Sequence, residues 1–188
     1  MKLLCELFDL LGGPAVFQFG WHILTRTSRL TEAEIATISQ VLGPDRSWYG
    51  RVRISDGRIL SWIFKRNRDR AFTTFRTINL PAEGRHSRPN LKLLVHEMVH
   101  VRQFEVVGSV YIWQALRAQR AEGYSYGGWS QLAEDWHRGR RLKDYNREQQ
   151  GQIAEDYYGD VLGPGLPPND PIREAFEPLI EELRAGKL

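Results

Sequence analysis

A chain of 188 residues suffices for one domain with a substantial core, and 41% hydrophobic and 26% charged residues without a low-complexity tract exclude a fibrous or disordered protein. Lys+Arg 26 against Asp+Glu 23 leaves a net charge of +3, and with no nucleic-acid-binding motif present, no nucleic-acid partner is expected. Cys5 is the only cysteine, so an intrachain disulfide is impossible and nothing signals an oxidising compartment.

The segment Met1–Trp21 is apolar enough to suggest an export signal, but Glu6 and Asp9 interrupt it and little positive charge precedes it. No stretch is long and clean enough to span a membrane, so the expectation is a cytoplasmic protein whose residues 1–29 pack on the domain or anchor it. Lys2–Leu11 reads as a short helix stopped by Gly12-Gly13-Pro14. Thr31-Glu32-Ala33-Glu34 is a capping box ahead of Ile35, Ile38 and Leu42 at helical spacing, closed by Gly43-Pro44-Asp45. The pattern then changes to period two: Val52 and Ile54 alternate with arginines, Asp56-Gly57 signals a turn, and Ile59–Phe64 and Phe72–Leu80 are rich in β-formers. Two to four strands are expected. This region is also basic: Arg46, Arg51, Arg53, Arg58, Lys65, Arg66, Arg68, Arg70 and Arg76 face only Asp56 and Asp69, most simply as a solvated face.

Beyond Pro81 the pattern is helical. Asn90–Val107 carries Leu91, Leu94, Val95, Met98, Val99 and Val101 and stops at Gly108; Val110–Glu122 is broken by Gly123; Tyr124–Trp129 is an aromatic, Gly-containing loop. A helix from near Asn146, where Gln149 completes a capping box, runs to Tyr158, and prolines after Gly163 precede a last helix, Ile172–Arg184. The order predicts an α+β fold, a small mostly antiparallel sheet packed on helices, with a domain over 30–162 and a Pro-rich connection and C-terminal helix over 163–188.

The string His96-Glu97-Met98-Val99-His100 carries the chemistry. With 5 His in 188 residues, H-E-x-x-H is expected by chance roughly 0.01 times per chain. Positions four apart share a helix face, so both imidazoles can reach one Zn²⁺, and Glu97 projects beside them as general base for a metal-activated water. The longer pattern H-E-x-x-H-x-x-G-x-x-H is not continued, and the other histidines are His22, His86 and His137. A later glutamate is the better third ligand. Glu148 is the first choice and Glu155 the reserve, on a face shared with Gln152 and with Gly151, whose missing side chain permits a close approach to the His96 helix. Asp156 is a candidate to orient a ligating histidine, and Tyr124, Tyr126 or Tyr157, with His137 as a further option, to donate to an oxyanion. Strand Phe72–Leu80 is a candidate sheet edge for an extended peptide.

Together with Leu30–Ile35, Val52-Arg53-Ile54 and Thr77–Pro81, the string Leu94–Gln103 resembles a bacterial family of zincin-like domains found in or beside Rhs/VgrG-type secretion proteins and contractile injection systems. Glu148-Gln149-Gln150-Gly151 is similar to that family's later glutamate motif, and the resemblance covers roughly Leu30 to Tyr158. Arg102 departs from it, standing where an aromatic residue often follows the motif. The resemblance implies a gluzincin-like fold, a protein or peptide substrate, a secretion-apparatus or immunity protein as partner, and export by a non-classical secretion or injection route. The leading expectation is a zinc peptidase. The alternatives are a non-catalytic zincin-fold interaction module of such a system, and a membrane-associated protease held by Met1–Trp21.

Overall fold

Caps and apolar periodicity set the longest elements. In the computed structural model, which describes residues 2–45, 47–55, 61–66, 69–121 and 123–188, the chain begins with helices α1 (Lys2–Leu10) and α2 (Gly13–Leu24). Strand β1 (Thr27–Ser28), helix α3 (Glu32–Leu42), strand β2 (Arg53–Ser55), the short helix α4 (Ser61–Arg66) and strands β3 (Phe72–Thr74) and β4 (Thr77–Asn79) follow. The second half is helical: α5 (Leu91–Val107), α6 (Val110–Ala121), α7 (Trp129–His137), α8 (Arg147–Asp156), a π-helical stretch Tyr157–Leu162, and α9 (Pro171–Arg184). The result is an α+β fold with a mixed four-stranded sheet in the order β1-β2-β4-β3. Neighbours pair antiparallel except β2 and β4, which run parallel because α4 and β3 intervene between them.

The core lies between the sheet and the helices. Ile54 and Ile78 from adjacent strands meet Leu94, Val95, Met98 and Val99 of α5, and Phe176, Leu179, Ile180 and Leu183 of α9 join the same cluster. Helix α5 is therefore central, buried on almost every side, and α8 packs directly along it.

Several expectations hold, with ends shifted by a residue or so. Helix α3 has its capping box, with Thr31 and Glu34 bonded reciprocally, α5 is capped by Asn90 and ends at Gly108, and α8 is capped by Asn146 and Gln149. Others need correction. Gly12, at φ 72°, breaks the N-terminal helix, but Pro14 then opens α2 because a first-turn residue needs no amide hydrogen. Of the expected strand Ile59–Phe64, residues 61–64 belong to α4, so tertiary context overrides β-propensity there; Asp56-Gly57 and residues 59–60 lie outside the described residues. Helix α7 and the π-helical stretch were not expected.

One ion pair ties the start of α3 to the loop before α5. Arg88 donates to both carboxylate oxygens of Glu34 at 2.7 and 2.8 Å, and Glu34 also accepts from the Thr31 amide at 2.7 Å. Burial opposes ionisation of Glu34, but Arg88 and Thr31 outweigh it and hold the carboxyl below its ordinary value of 4.5. A depressed carboxylate stabilises the fold above its unfolded value and loses that contribution as pH falls through the native one. Glu34→Gln is expected to cost about 1.5–3 kcal/mol in urea unfolding at neutral pH. The gap to wild type is expected to close as the pH falls below 4.5.

Candidate metal centre

Helix α5 presents His96 and His100 one turn apart on the side facing α8, at 4% and 6% exposure. Asn146 fixes the start of α8 by accepting from the amides of Glu148 and Gln149, which places Glu148 in the first turn, 1% exposed, opposite both rings. Its Oε2 lies 3.6 Å from His96 Nε2 and 3.7 Å from His100 Nε2. Gly151 makes the approach possible: a Cβ there would sit 2.8 Å from His96 Cε1 and Nε2.

These three residues form a buried group able to hold a metal ion, their candidate ligand atoms all within 4.8 Å of one another. Bonds of about 2.0–2.2 Å at tetrahedral angles set ligand atoms about 3.3–3.5 Å apart, close to the separations seen. Two imidazole nitrogens and one carboxylate oxygen suit a borderline divalent cation. The electrostatics agree. Burial disfavours the cationic form of both rings, but Glu148, with Glu155 beside His96, outweighs it, raising His96 to about 10 and His100 above its ordinary value. Burial likewise opposes the Glu148 anion, yet the two rings hold its carboxyl far below the usual carboxylate range. The site collects positive charge around a buried carboxylate, which a dication can supply in place of protons.

Residues behind the ligands fix their orientation, and sequence reasoning missed most of them. Gln103, fully buried and one turn beyond His100, accepts from His100 Nδ1 at 2.8 Å, leaving Nε2 to face Glu148. The Gln103 amide in turn donates to Gln150 Oε1 at 2.9 Å and to the Arg147 carbonyl, so α8 holds the residue that holds the ring. Glu155, the reserve ligand, instead reaches the far side of His96, 3.1 Å from Nδ1 but off the hydrogen-bond direction. Thr73 of β3 donates to Glu97 Oε2 at 2.7 Å, pinning that carboxylate beside the histidines.

The remaining candidates divide. Tyr124 is in the site: its ring lies 5.8 Å from that of His96 and its hydroxyl bonds Glu148. Asp156 does not orient a histidine; it accepts from Tyr126 at 2.6 Å and from Gln152 at 2.9 Å, because it lies eight residues, about 12 Å of helix, beyond Glu148. Tyr126 is thereby committed, and its ring packs on Phe176 of the core. Tyr157 is buried at the same core and donates to Glu177, away from the cleft. His137 is exposed at the end of α7, and His22 bonds Thr77 on the sheet.

The site opens into a cleft of about 340 Å³ whose far wall is apolar, formed by Ile63 of α4 and Tyr111, Ile112, Ala115 and Leu116 of α6. Strand β3 borders it along Phe72–Thr74 as a sheet edge, whereas β4 is internal and cannot pair with another chain. A second cavity, lined by Arg70, Arg85 and His86, extends the cleft on the polar side of His96 and Glu97. No family model matches the chain, and no curated protein or solved structure matches it either.

Gly151→Ala is expected to push the His96 ring aside and weaken metal binding by about 10–100-fold in a chelator-competition titration. Gln103→Ala is expected to lose a similar factor while retaining one metal per chain at saturation, since it removes the orienting partner and none of the ligands.

Proposed function

We propose that the protein is a zinc-dependent peptidase of zincin-like fold, with His96, His100 and Glu148 as metal ligands and Glu97 as general base. The observation that carries this reading is the placement of Glu97. It is 4% exposed, fixed by Thr73, and lies on the cleft face of the histidine pair. A site that only stabilised the fold would have no use for that second carboxylate, whose burial costs free energy.

When bound, a zinc ion supplies Lewis acidity here, making water acidic enough to be a nucleophile near neutral pH and polarising a carbonyl. The chain's own residues supply the rest. Glu97 takes the proton of the attacking water and returns it to the leaving amine, the Thr73 hydroxyl holding the carboxylate in line for both transfers. Tyr124 lines the cleft beside His96 with its hydroxyl bonded to Glu148, and is the donor assigned to the developing oxyanion in this reading. The edge strand β3 borders the cleft, and an extended peptide pairing along it would replace the Tyr111 hydroxyl at the Thr73 carbonyl.

The test pairs metal analysis with digestion of an unstructured protein such as casein. Wild type is expected to carry about one zinc per chain and to cleave. Glu148→Ala is expected to lose both properties, and Glu97→Gln to keep the metal while cleaving about 10²–10⁴-fold more slowly. Equal cleavage by Glu97→Gln and wild type would show that the base assignment is wrong. Wild type that binds no metal even when zinc is supplied would sink the peptidase reading. Metal binding without cleavage would favour a non-catalytic interaction module of a secretion or injection system.

A further inference from the structure

Helix α2 is built inside out. The stripe facing the body holds Pro14, Gln18, Trp21 and His22, and apart from the ring contact of the neighbouring Phe17 with Phe75 it is held by hydrogen bonds. Gln18 donates to Thr77 Oγ1 at 3.2 Å, the Trp21 indole donates to Asn79 Oδ1 at 2.9 Å, and His22 Nε2 lies 2.8 Å from the same threonine oxygen. The stripe facing outward is Val16, Phe19 and Ile23, at 73%, 70% and 70% exposure. A surface helix in water carries the opposite arrangement. Helix α1 follows suit, turning Cys5 inward and exposing Leu3, Leu4, Leu7 and Leu10, while Asp9 anchors it by accepting from the Ser109 amide at 2.8 Å. So large a contiguous apolar surface marks a site of contact rather than a face made for solvent.

The surface does not stop at the N-terminal helices. A groove lined by Leu4, Phe8, Phe75, Ile112, Trp113 and Leu116 joins α1 to α6, and Ile112 and Leu116 are also part of the apolar wall of the metal cleft. Ile63 of α4 stands in the same wall. Trp113 and Trp62 project from α6 and α4 at 51% and 68% exposure. On α2, α4 and α6 the charge has one sign: Lys65, Arg66 and Arg117 are exposed, and these three helices contain no Asp or Glu, while on α1 Glu6 is paired with Lys2 and Asp9 is bonded to Ser109.

We propose that this face seats the protein on an anionic phospholipid bilayer, with α1 and α2 lying in the headgroup–acyl boundary and the mouth of the cleft beside the membrane surface. Exposed leucines and phenylalanines enter the boundary, tryptophans sit at its level, and Lys65, Arg66 and Arg117 meet anionic headgroups. The helices lie on the membrane rather than cross it. They meet at 72° at Gly12, and the polar contacts of α2 with β4 keep that helix against the body. A second copy of the chain fits less well, since a two-fold interface on this face would bring the same three cations of both chains to one rim. The inference is independent of the peptidase reading.

The test is flotation of the full chain with vesicles of phosphatidylcholine alone or of phosphatidylcholine with phosphatidylglycerol. The protein is expected to float with the anionic vesicles and to be released by high salt. Joint replacement Val16→Ser, Phe19→Ser and Ile23→Ser is expected to abolish flotation. Joint neutralisation Lys65→Gln, Arg66→Gln and Arg117→Gln is expected to weaken partition about a hundredfold, roughly fivefold per cation. Unchanged metal content and melting temperature in both variants separate loss of docking from loss of fold or of the metal site. Three results would overturn the proposal: failure to float with either vesicle, equal flotation with both, or dimers on sedimentation that the serine variant disperses without any vesicle binding.

Discussion

A carboxylate held at 1% exposure against two buried imidazoles is the constraint around which this molecule is arranged. Removing such an anion from water costs several kcal/mol unless positive charge and hydrogen bonds compensate. Everything that brings α8 onto α5 serves that compensation. Gly151 removes the one Cβ that would strike His96, and the Asn146–Gln149 box fixes where α8 begins. Gln150 ties α8 to the preceding turn by donating to the carbonyls of Leu142 and Tyr145 while accepting from Gln103. The positioning of Glu148 is thus paid for by neutral amides, which orient without adding further buried charge.

What was legible in the sequence was what local rules encode. Helices α3, α5 and α8 announce themselves because a side chain at each N-cap accepts from backbone amides and the apolar residues repeat at helical spacing. Helices α2 and α7 begin at glycines, Gly12 and Gly128, that make no side-chain cap; nothing local marks the start of α7, and Pro14 at the start of α2 reads equally well as the stop of α1. Helix α4 is six residues of β-formers and basic residues held helical only by their surroundings.

The metal site divides the same way. His96 and His100 are bound by a four-residue period, and Glu148 and Gly151 by their place on a capped helix. Thr73 reaches Glu97 across 24 residues, a pairing that only the sheet topology creates. Gln103 could have been found, since it lies three residues beyond His100 on the same face. Asp156 and Glu155 are one residue apart, a rotation of about 100° on a helix, so that Glu155 and not Asp156 comes to the His96 side of α8.

Helices α8 and α2 both break the rule that a surface helix is apolar inward and polar outward, and they break it for different reasons. Helix α8 buries Glu148, Gln149 and Gln150 because its partner on α5 is a pair of imidazoles, so polarity inside is what the site requires. Helix α2 turns Gln18 and Trp21 towards the sheet and leaves its apolar residues outside, yet the threonine and asparagine it bonds have no site chemistry in them. The first inversion is satisfied within the molecule: Glu148 faces the two imidazoles, Gln150 accepts from Gln103, and Gln149 donates to the Ser125 carbonyl. The second is not, because nothing among the described residues covers Val16, Phe19 or Ile23. Departures from local consistency gather where a protein does something besides fold. The metal cleft and the N-terminal face are contiguous, sharing Ile112 and Leu116 of α6 as common lining.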